Sequence, residues 1–418
     1  MNHFLRIALS LLVCFISLQN TQAQYVTISD TNFRDYLMNK YSSCFNSNKQ
    51  MDTTCSDIVN ATELTIPFTI NANNIIEIQY FKKLDTLNCS DNHSLNALPA
   101  LPASLTYLEC AASNFYSLPN LPASLTYLDC SDNELINLPQ LPTSLTYLNC
   151  QYNKLDSLPE LPATLTYLDC SFNELPKLPK LPLSLSSLIC QKNKLDSLPE
   201  IPVALISLNC TYNQLTSLPA LPTSLYFLGC NNNTLTSLPE LPASLNELDC
   251  ESNELMSLPT LPDSLQMLYC MDNSIYCLPI LPENLFYLSA TGNHITCLPN
   301  LTTTLATYGY MDSTWKVCNA TTNKHHCPTT QTTGITSAAT TTQQLLFPNP
   351  STGIVSITSG QFISADVAII SSTGKVVYTQ NAVNLSSATL DLSSLTKGLY
   401  FVQISSVEAL VTQKLALE

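Results

Sequence analysis

The chain repeats itself every twenty residues over about half of its length. The stretch LPASLTYLDCSDNEL at 121–135 returns with small changes at 141, 161 and 241. A segment this short cannot bury its hydrophobic face alone, whereas stacked copies enclose a continuous core. The repeat therefore predicts a solenoid in which each copy forms one coil.

Alternation within each copy predicts a short β-strand. In LTYLDC, Leu128 and Cys130 alternate with Tyr127 and Asp129, so the first pair should face the core and the second should face outward. Stacking then places the strands side by side in a parallel sheet, about 4.8 Å apart. The asparagine that follows, Asn133 and its equivalents, is expected to turn the chain and satisfy backbone groups at the bend.

Leu-Pro pairs fill the remainder of each copy. Pairs such as Leu138-Pro139 and Leu141-Pro142 predict an extended, polyproline-like return on the convex side, because proline fixes φ. A copy of this length leaves no room for a full helix there. Periodic proline of this kind belongs to an ordered motif and does not indicate disorder.

The pattern L-x-x-L-x-L-x-x-N-x-L, with cysteine in the third leucine position, closely resembles the leucine-rich repeat. The doubled Leu-Pro is similar to the short bacterial class of these repeats, which also occurs in secreted effector proteins. The resemblance implies an α/β-class leucine-rich repeat solenoid, mostly parallel β with an irregular, polyproline-like convex side. Some such effectors carry a ubiquitin-ligase domain, but the region after these repeats looks different, so that activity is not expected here.

The N-terminal part of the chain divides into three predicted regions. Residues 1–23 combine one basic residue with an apolar run and small residues before a cleavage point, which is typical of a secretory signal peptide. Residues 24–88 do not repeat and contain a helical pattern, so we expect an N-terminal helical cap over the first coil. The solenoid itself is predicted at 89–309.

After the solenoid, residues 310–345 are predicted to form a C-terminal cap and a Thr-rich linker, and residues 346–418 a small all-β sandwich. The motifs Phe347-Pro348-Asn349-Pro350, Gly374-Lys375-Val376-Val377 and Leu399-Tyr400-Phe401-Val402 closely resemble the C-terminal sorting domain of cargo for the type IX secretion system of Gram-negative bacteria. The resemblance implies contact with the secretion machinery and a final location outside the cell or on its surface.

One cysteine occupies the inward strand position of each coil, and we expect these residues to be buried free thiols that replace leucine. Disulfides within the column, or metal or redox chemistry, are the alternatives, although zinc prefers a compact cluster to one ligand per coil. This cysteine column comprises Cys89, Cys110, Cys130, Cys150, Cys170, Cys190, Cys210, Cys230, Cys250 and Cys270.

After the signal peptide, six further cysteines lie outside the column, and export favours their pairing. The predicted disulfides join Cys44 to Cys55, Cys277 to Cys297, and Cys318 to Cys327. Cys277 and Cys297 hold one repeat position in adjacent coils, and the other two pairs close short loops. A zinc site at Cys318 and the run His325-His326-Cys327 is the alternative reading.

The outward strand positions, which we expect on the concave face of the solenoid, predict the partner-binding surface. One column holds tyrosine in four successive coils, and the column beside it holds acids and amides, which suits an interface because tyrosine combines a large ring with a polar tip. Duplication and the mutual stabilisation of stacked tyrosines are the alternative explanation. The predicted binding residues are Tyr107, Glu109, Tyr127, Asp129, Tyr147, Asn149, Tyr167 and Asp169.

Charge narrows the class of partner. The formal net charge is −15, which disfavours nucleic acid and suits a basic protein or peptide, with a glycan as the other candidate. We expect no cofactor, metal or enzymatic activity, because the sequence shows neither an HExxH motif nor a nucleophile elbow. No segment after the signal peptide is long and apolar enough to cross a bilayer. A passive surface component, or a glycan-binding or host-directed adhesin or effector, is the alternative function.

Overall fold

A computed structural model describes residues 24–311, 315–319, 323, 327, 346–347, 351–357, 364–371, 376–384, 388–405 and 410–417. The chain forms two compact units, Met1–Gln331 and Thr332–Glu418. The predicted signal peptide, the Thr-rich segment and the His325-His326 pair lie outside the described residues.

The N-terminal cap is a small helical subdomain. Helix α1 (Thr31–Lys40) begins at Asp30, whose carboxylate accepts a hydrogen bond of 2.8 Å from the amide of Phe33, and it buries Phe33 and Leu37. The helical pattern of the sequence is therefore confirmed here. Strands β1 (Tyr25–Val26) and β2 (Met51–Asp52) pair antiparallel, α2 spans Ser56–Val59, and 3-10 turns span Ser42–Cys44, Phe68–Ile70 and Ile76–Tyr80.

The parallel sheet begins before the twenty-residue repeats do. Strands β3 (Glu63–Thr65) and β4 (Thr86–Asn88) pair in parallel with each other, and β4 pairs with β5 (Tyr107–Glu109). The solenoid boundary predicted at residue 89 is therefore wrong by two strands. Paired residues lie 23 positions apart between β3 and β4 and 21 apart between β4 and β5, and the segment between β3 and β4 contains no Leu-Pro pair, so the period of twenty does not reveal these coils.

Nine further strands complete a continuous sheet of twelve, ordered from β3 to β14 as in the sequence. Equivalent residues of neighbouring strands are directly paired, so every repeat position forms a straight column across the sheet. These strands are β6 (Tyr127–Asp129), β7 (Tyr147–Asn149), β8 (Tyr167–Asp169), β9 (Ser187–Ile189), β10 (Ser207–Asn209), β11 (Phe227–Gly229), β12 (Glu247–Asp249), β13 (Met267–Tyr269) and β14 (Tyr287–Ser289).

The predicted alternation is confirmed. Leu128 and Cys130 are completely buried, whereas Tyr127 and Asp129 are half-buried on the other side of the strand. Side chains at the two inward positions of all coils join one core that extends from Ile28 to Leu305. The sheet face that carries the tyrosines is therefore the outward one.

The asparagines close the bend after each strand, as predicted. The amide nitrogen of Asn133 donates to the carbonyl oxygens of Cys110, Cys130 and Ser131 at 2.9, 3.2 and 3.0 Å, and its side-chain oxygen accepts from the amide of Phe115 at 3.0 Å. The preceding residue, Asp132, is left-handed with φ 51°. The same contacts recur through Asn293, so each asparagine joins its own coil to the one before it.

The C-terminal end of the solenoid is closed by a short helix and two disulfides. Helix α3 (Thr303–Tyr308) begins at Thr302, and the backbone of Leu298 exchanges hydrogen bonds with Lys316 and Cys318 at 2.9 and 2.8 Å. This pairing brings Cys318 beside Cys297, with their Cα atoms 4.9 Å apart.

The six cysteines outside the column all form disulfides, but two of the three predicted pairings differ. Cys44 bonds to Cys55 as expected, whereas Cys277 bonds to Cys327 and Cys297 bonds to Cys318. The predicted pairings of Cys277 with Cys297 and of Cys318 with Cys327 are wrong. Side chains at one position of adjacent parallel coils point in the same direction, whereas a disulfide needs Cβ atoms that approach each other, and the returning C-terminal segment supplies them.

The C-terminal unit contains two small antiparallel sheets that share one core, formed by side chains such as Val355, Leu390, Ile369 and Val402. This arrangement confirms the predicted all-β sandwich. Its strands are β15 (Leu346–Phe347), β16 (Ile354–Ile357), β17 (Ser364–Ser371), β18 (Val376–Asn384), β19 (Ala388–Asp391), β20 (Gly398–Ser405) and β21 (Leu410–Leu417). Across the described part of the chain, none of the helices has the length and apolar character needed to cross a membrane.

Candidate binding face on the solenoid

Four tyrosines stack on the outward face of strands β5 to β8. The ring centroids of Tyr107, Tyr127, Tyr147 and Tyr167 are separated by 4.1, 4.2 and 4.4 Å, and successive rings are within 8° of parallel. The spacing follows from the sheet, because the distance between hydrogen-bonded strands is close to the distance between the centroids of two stacked rings. Together with the column beside them, these residues form the Tyr face: Tyr107, Glu109, Tyr127, Asp129, Tyr147, Asn149, Tyr167 and Asp169.

The tyrosine hydroxyls stay protonated at physiological pH. Burial raises the pKa of all four phenols, and neighbouring carboxylates raise it further at Tyr107, Tyr147 and Tyr167. Each ring is only half-buried, so the face presents a row of neutral groups that both donate and accept hydrogen bonds. The stack is therefore rigid in the rings and polar at its exposed edge.

The acidic column is held in place by local hydrogen bonds. One carboxylate oxygen of Asp129 accepts from the amide and hydroxyl of Ser131 at 3.0 and 2.6 Å, and the other accepts from the side-chain amide of Asn149 at 3.0 Å. Asp169 makes the same turn with Ser171 at 2.9 and 2.6 Å. These carboxylates thus have a structural task as well as an outward position.

Burial differs along this column. Asn149 and Asp169 are 6% and 5% exposed, so a partner can reach little of either side chain. Burial raises the pKa of Asp169, and the hydrogen bonds from Ser171 oppose that rise. Glu109 instead accepts bonds from Asn88 at 2.8 Å and from the hydroxyl of Tyr107 at 3.3 Å. The acidic edge is therefore more accessible at the start of the Tyr face than at its end.

The stack stops at Tyr167, because the next two positions are Ser187 and Ser207. Phe227 does not resume it. A Cβ atom on Gly229 would lie 3.2 Å from Cζ of Phe227, so that ring leans sideways over the glycine. One side of the Tyr167 ring consequently has only a small serine beside it.

A second group of outward side chains lies near the C-terminal end of the sheet, and the sequence reasoning did not select it. Asp249, Glu251, Tyr269, Tyr287 and Tyr310 line an open depression of about 790 Å³, which we call the acid–tyrosine pocket. Tyr269 stands in the acidic column and Tyr310 lies outside the repeats, so neither fits the tyrosine column by its period. The sequence signal that could have identified this group is the replacement of an acidic residue by Tyr269 in the acidic column, directly after Asp249.

The carboxylates of this pocket are not easily ionised. Burial, with the charge of Glu247 beside it, raises the pKa of Asp249 to about 6, although the amide of Glu251 donates to it at 3.3 Å. The pKa of Glu251 is also raised, first by burial and then by Asp249 and Asp272. Charges of one sign are thus concentrated here in partly buried positions.

The cysteine column lies on the opposite side of the sheet from both groups. All ten cysteines are free and buried, as expected. Burial raises the pKa of every thiol, that of Cys89 and Cys210 to about 12. Such thiols are poor nucleophiles and poor metal ligands, and they act as packing residues.

This geometry can be set beside solved structures. The leucine-rich effector protein YopM from Yersinia pestis is 33% identical in sequence, over 58% of this chain and 78% of that one, with a TM-score of 0.44. This chain itself forms a parallel solenoid with leucine at its inward positions, built from copies of the leucine-rich pattern. This chain belongs to the leucine-rich repeat proteins.

Two further similar structures extend the comparison. The leucine-rich repeat domain of a Shigella effector is 39% identical, over 34% of this leucine-rich repeat protein and 66% of that chain, with a TM-score of 0.31. The functional domain of InlJ from Listeria monocytogenes, described as including a cysteine ladder, is 19% identical, over 88% of this chain and 93% of that one, with a TM-score of 0.42. None of the curated protein sequences matches.

The C-terminal unit of the leucine-rich repeat protein has its own match. Residues 345–418 fit the family described as secretion system C-terminal sorting domain. The chain therefore carries a type IX sorting tail after its solenoid, which indicates a secreted or cell-surface protein. The predicted sorting domain is confirmed.

Proposed function

We propose that this exported leucine-rich repeat protein binds a protein partner through the Tyr face and does not catalyse a reaction. The observation that carries the proposal is the stack of four parallel tyrosines on the outward face of the sheet. Tyrosine is enriched at protein interfaces because it offers apolar area and a hydrogen-bonding tip.

Rigidity before binding supports this assignment. Each tyrosine is held by ring neighbours, and Asp129 and Asp169 are held by their turns. Ordering a free side chain at an interface costs about 0.5–1.5 kcal/mol, and a stacked ring has already lost most of that freedom. A partner that meets the Tyr face therefore gains contact area at low entropic cost.

Charge favours a basic partner. Glu109 and Asp129 stand beside the tyrosines, and the two outward columns over β5 to β14 contain neither lysine nor arginine. A basic surface on the partner would gain electrostatic complementarity and faster association, and its binding would weaken as salt increases.

Binding, rather than catalysis, suits the reactive groups of the solenoid. The ten thiols of the cysteine column are buried with raised pKa values, so they are poor nucleophiles. The aspartates of the Tyr face, Asp129 and Asp169, accept hydrogen bonds within their own turns and hold the same repeat position two coils apart. A regular column of this kind differs from an acid–base pair whose two environments are pushed apart.

Alanine replacement tests the Tyr face. The full chain is used to capture partners from bacterial and host surface extracts, and the captured protein is then titrated against purified variants. The test variant carries Tyr127→Ala, Tyr147→Ala and Tyr167→Ala together, and we expect it to lose at least about 10-fold in affinity. The matched control carries Tyr116→Ala, Tyr152→Ala and Tyr212→Ala, which removes three exposed tyrosines from outside the Tyr face.

Comparison of the test variant with the control variant shows whether affinity depends on the Tyr face. Loss in the test variant with wild-type affinity in the control supports the proposal. Equal affinity of the test variant and the wild type contradicts it. Melting temperatures of both variants show whether any loss reflects unfolding.

A passive structural role is the second candidate, and the ring spacing of 4.1–4.4 Å favours it. Stacked pairs stabilise a protein by about 0.5–1.5 kcal/mol each beyond their burial. Under this alternative the triple variant melts earlier than the control variant, and no partner is captured that depends on the three tyrosines.

A further inference from the structure

The acid–tyrosine pocket is a built feature of the last coils. Pairing of β12 with β13 places Asp249 beside Tyr269, and an additional parallel bridge places Tyr310 beside Tyr287. Ring centroids are 4.7 Å apart for Tyr269 and Tyr287, and 5.0 Å apart for Tyr287 and Tyr310. Three rings thus form a continuous aromatic wall, and they line the same depression as the two carboxylates.

The half of the solenoid around this pocket is acidic, and the next cationic residue along the chain is Lys316. Residues 195–315 contain six glutamates and five aspartates, eleven acids in all, and neither lysine nor arginine. Within the described residues the ion pairs are Arg34–Asp35, Lys154–Glu134 and Lys194–Glu174, all earlier in the chain. Within that part of the chain, Asp249 and Glu251 form no ion pair, so their charges can attract a cation of a partner.

We propose that the acid–tyrosine pocket receives a lysine or arginine side chain of a protein partner. An ammonium or guanidinium group gains Coulomb attraction from the two carboxylates, and its cationic head and apolar stem gain from the ring faces. The depression, about 790 Å³ in volume and open to solvent, admits a long side chain with part of its backbone.

The aromatic wall distinguishes this occupant from a metal ion. Calcium takes six to eight oxygen ligands, whereas the lining of this pocket combines two carboxylates and the hydroxyls of Ser289 and Thr291 with three aromatic rings. A cation carried on a hydrocarbon stem uses both kinds of lining. The chemistry of the wall therefore favours an organic cation.

The pocket shares no residue with the Tyr face, so the two assignments can fail separately. A pocket that binds a basic side chain remains a binding site if the Tyr face proves to be structural. If both are correct, one basic partner would lie along the outward face of the sheet and contact its two ends.

A charged peptide tests the pocket directly. The probe is a short fluorescein-labelled peptide of alternating lysine and glycine, and its binding to the full chain is followed by fluorescence anisotropy near neutral pH. We expect binding that weakens at least about 10-fold when every lysine is acetylated, since acetylation removes the charge and keeps the stem. Equal binding of the acetylated peptide overturns the proposal.

Paired charge variants locate the site. Asp249→Asn with Glu251→Gln should weaken binding of the lysine peptide at least about 10-fold, while the amide side chain introduced at position 249 keeps an oxygen that can accept from the backbone amide of residue 251. The control, Glu240→Gln with Asp263→Asn, removes the same charge from an exposed site among the Leu-Pro pairs and should bind like the wild type. Equal weakening in both variants shows unspecific attraction and overturns the proposal.

Two further measurements complete the test. Tyr310→Leu should weaken binding several-fold, because it removes the exposed end ring of the aromatic wall while keeping apolar bulk. The triple tyrosine variant of the Tyr face should bind the lysine peptide with wild-type affinity. If that variant loses the peptide, or if micromolar calcium chloride displaces the peptide from the wild type, the pocket is not the site of the basic side chain.

Discussion

Tyr167 and Ser187 are paired residues of neighbouring strands, and the stack of rings ends between them. The backbone continues without a break, so the end of the stack is a matter of side chains alone. One side of the Tyr167 ring is therefore lined by a residue too small to cover it. This open ring face is the point at which the Tyr face can be extended or blocked.

Extension of the stack should stabilise the protein. Ser187→Tyr places a fifth ring at the same spacing, and we expect about 0.5–1.5 kcal/mol of additional stability from stacking. The midpoint of urea unfolding measures the change. Ser187→Leu is the control, since it adds apolar bulk without an aromatic ring, and an equal gain in that variant would show that stacking is not the cause.

Loss of one turn asparagine should be among the most destabilising single changes. The side chain of Asn173 donates to the carbonyls of Cys150, Cys170 and Ser171 and accepts from the amide of Leu155. Asn173→Ala leaves buried backbone groups unpaired, which should cost about 3 kcal/mol. The unfolding midpoint in urea tests this, with Glu174→Ala as the control.

That control removes an exposed partner of Lys194 and should change stability by less than about 0.5 kcal/mol. If Asn173→Ala and Glu174→Ala unfold at the same urea concentration, the hydrogen bonds of Asn173 to buried backbone groups contribute little to stability.

Peptide mapping should find the disulfide pattern of the structure. Non-reducing digestion should release one linked peptide pair that contains Cys277 and Cys327, and another that contains Cys297 and Cys318. Replacement of both Cys277 and Cys327 by serine should lower stability by about 2–5 kcal/mol, because the crosslink restrains a long loop of the unfolded chain. A linked peptide that joins Cys277 to Cys297 would contradict the structure.

The cysteine column should be silent toward thiol reagents until the protein unfolds. Its ten thiols are buried and have raised pKa values, so alkylation at pH 8 should label none of them in the folded chain. The same reaction in concentrated urea, without reductant, should label all ten. Rapid labelling of the folded protein would show that the coils open readily, and fewer than ten labels in urea would show crosslinks within the column.

Stability should depend on the ionisation of Asp249. Its folded pKa of about 6 exceeds the ordinary value of 3.8, so the folded state holds this proton more tightly than the unfolded state does. The resulting stabilisation is fully present below about pH 3.8 and is lost as the pH rises through 6. Above that range the folded protein must keep a partly buried charge.

Asp249→Asn removes this charge and should raise the melting temperature near pH 7.5. The gain should correspond to about 1 kcal/mol, a value reduced for solvent screening, and should shrink as the pH falls below 6. Melting curves at several pH values measure it. A gain that stays constant down to pH 4 would show that ionisation of Asp249 is not responsible.

The sequence predicts the repeated part of the fold well because one period determines several contacts at once. The same spacing that turns Leu128 and Cys130 inward also brings Tyr127 beside Tyr147 and aligns Asn133 with the preceding bend. Each of these contacts joins equivalent positions of neighbouring coils, so it can be derived from the repeat alone.

Contacts that leave the period could not be predicted in this way. The coils of β3 and β4 differ in length from the rest, and the partners of Cys277 and Cys297 come from a segment whose path no repeat describes. The acid–tyrosine pocket depends on Tyr310, which also lies beyond the last strand. Non-repeating residues close both ends of the solenoid. Their positions follow from tertiary contacts, which the repeat pattern of the sequence does not contain.

The turn asparagines give the solenoid a direction. The amide of Asn133 completes hydrogen bonds left open by the coil before it, and the carbonyl of Cys130 in turn accepts from Asn153 of the next coil. A further coil at the C-terminal edge would therefore find backbone carbonyl oxygens positioned to accept its hydrogen bonds. The last coil of such an array leaves these carbonyl oxygens exposed. In this chain the addition of coils ends where the backbone of Lys316 and Cys318 bonds to Leu298 and Cys318 forms a disulfide with Cys297.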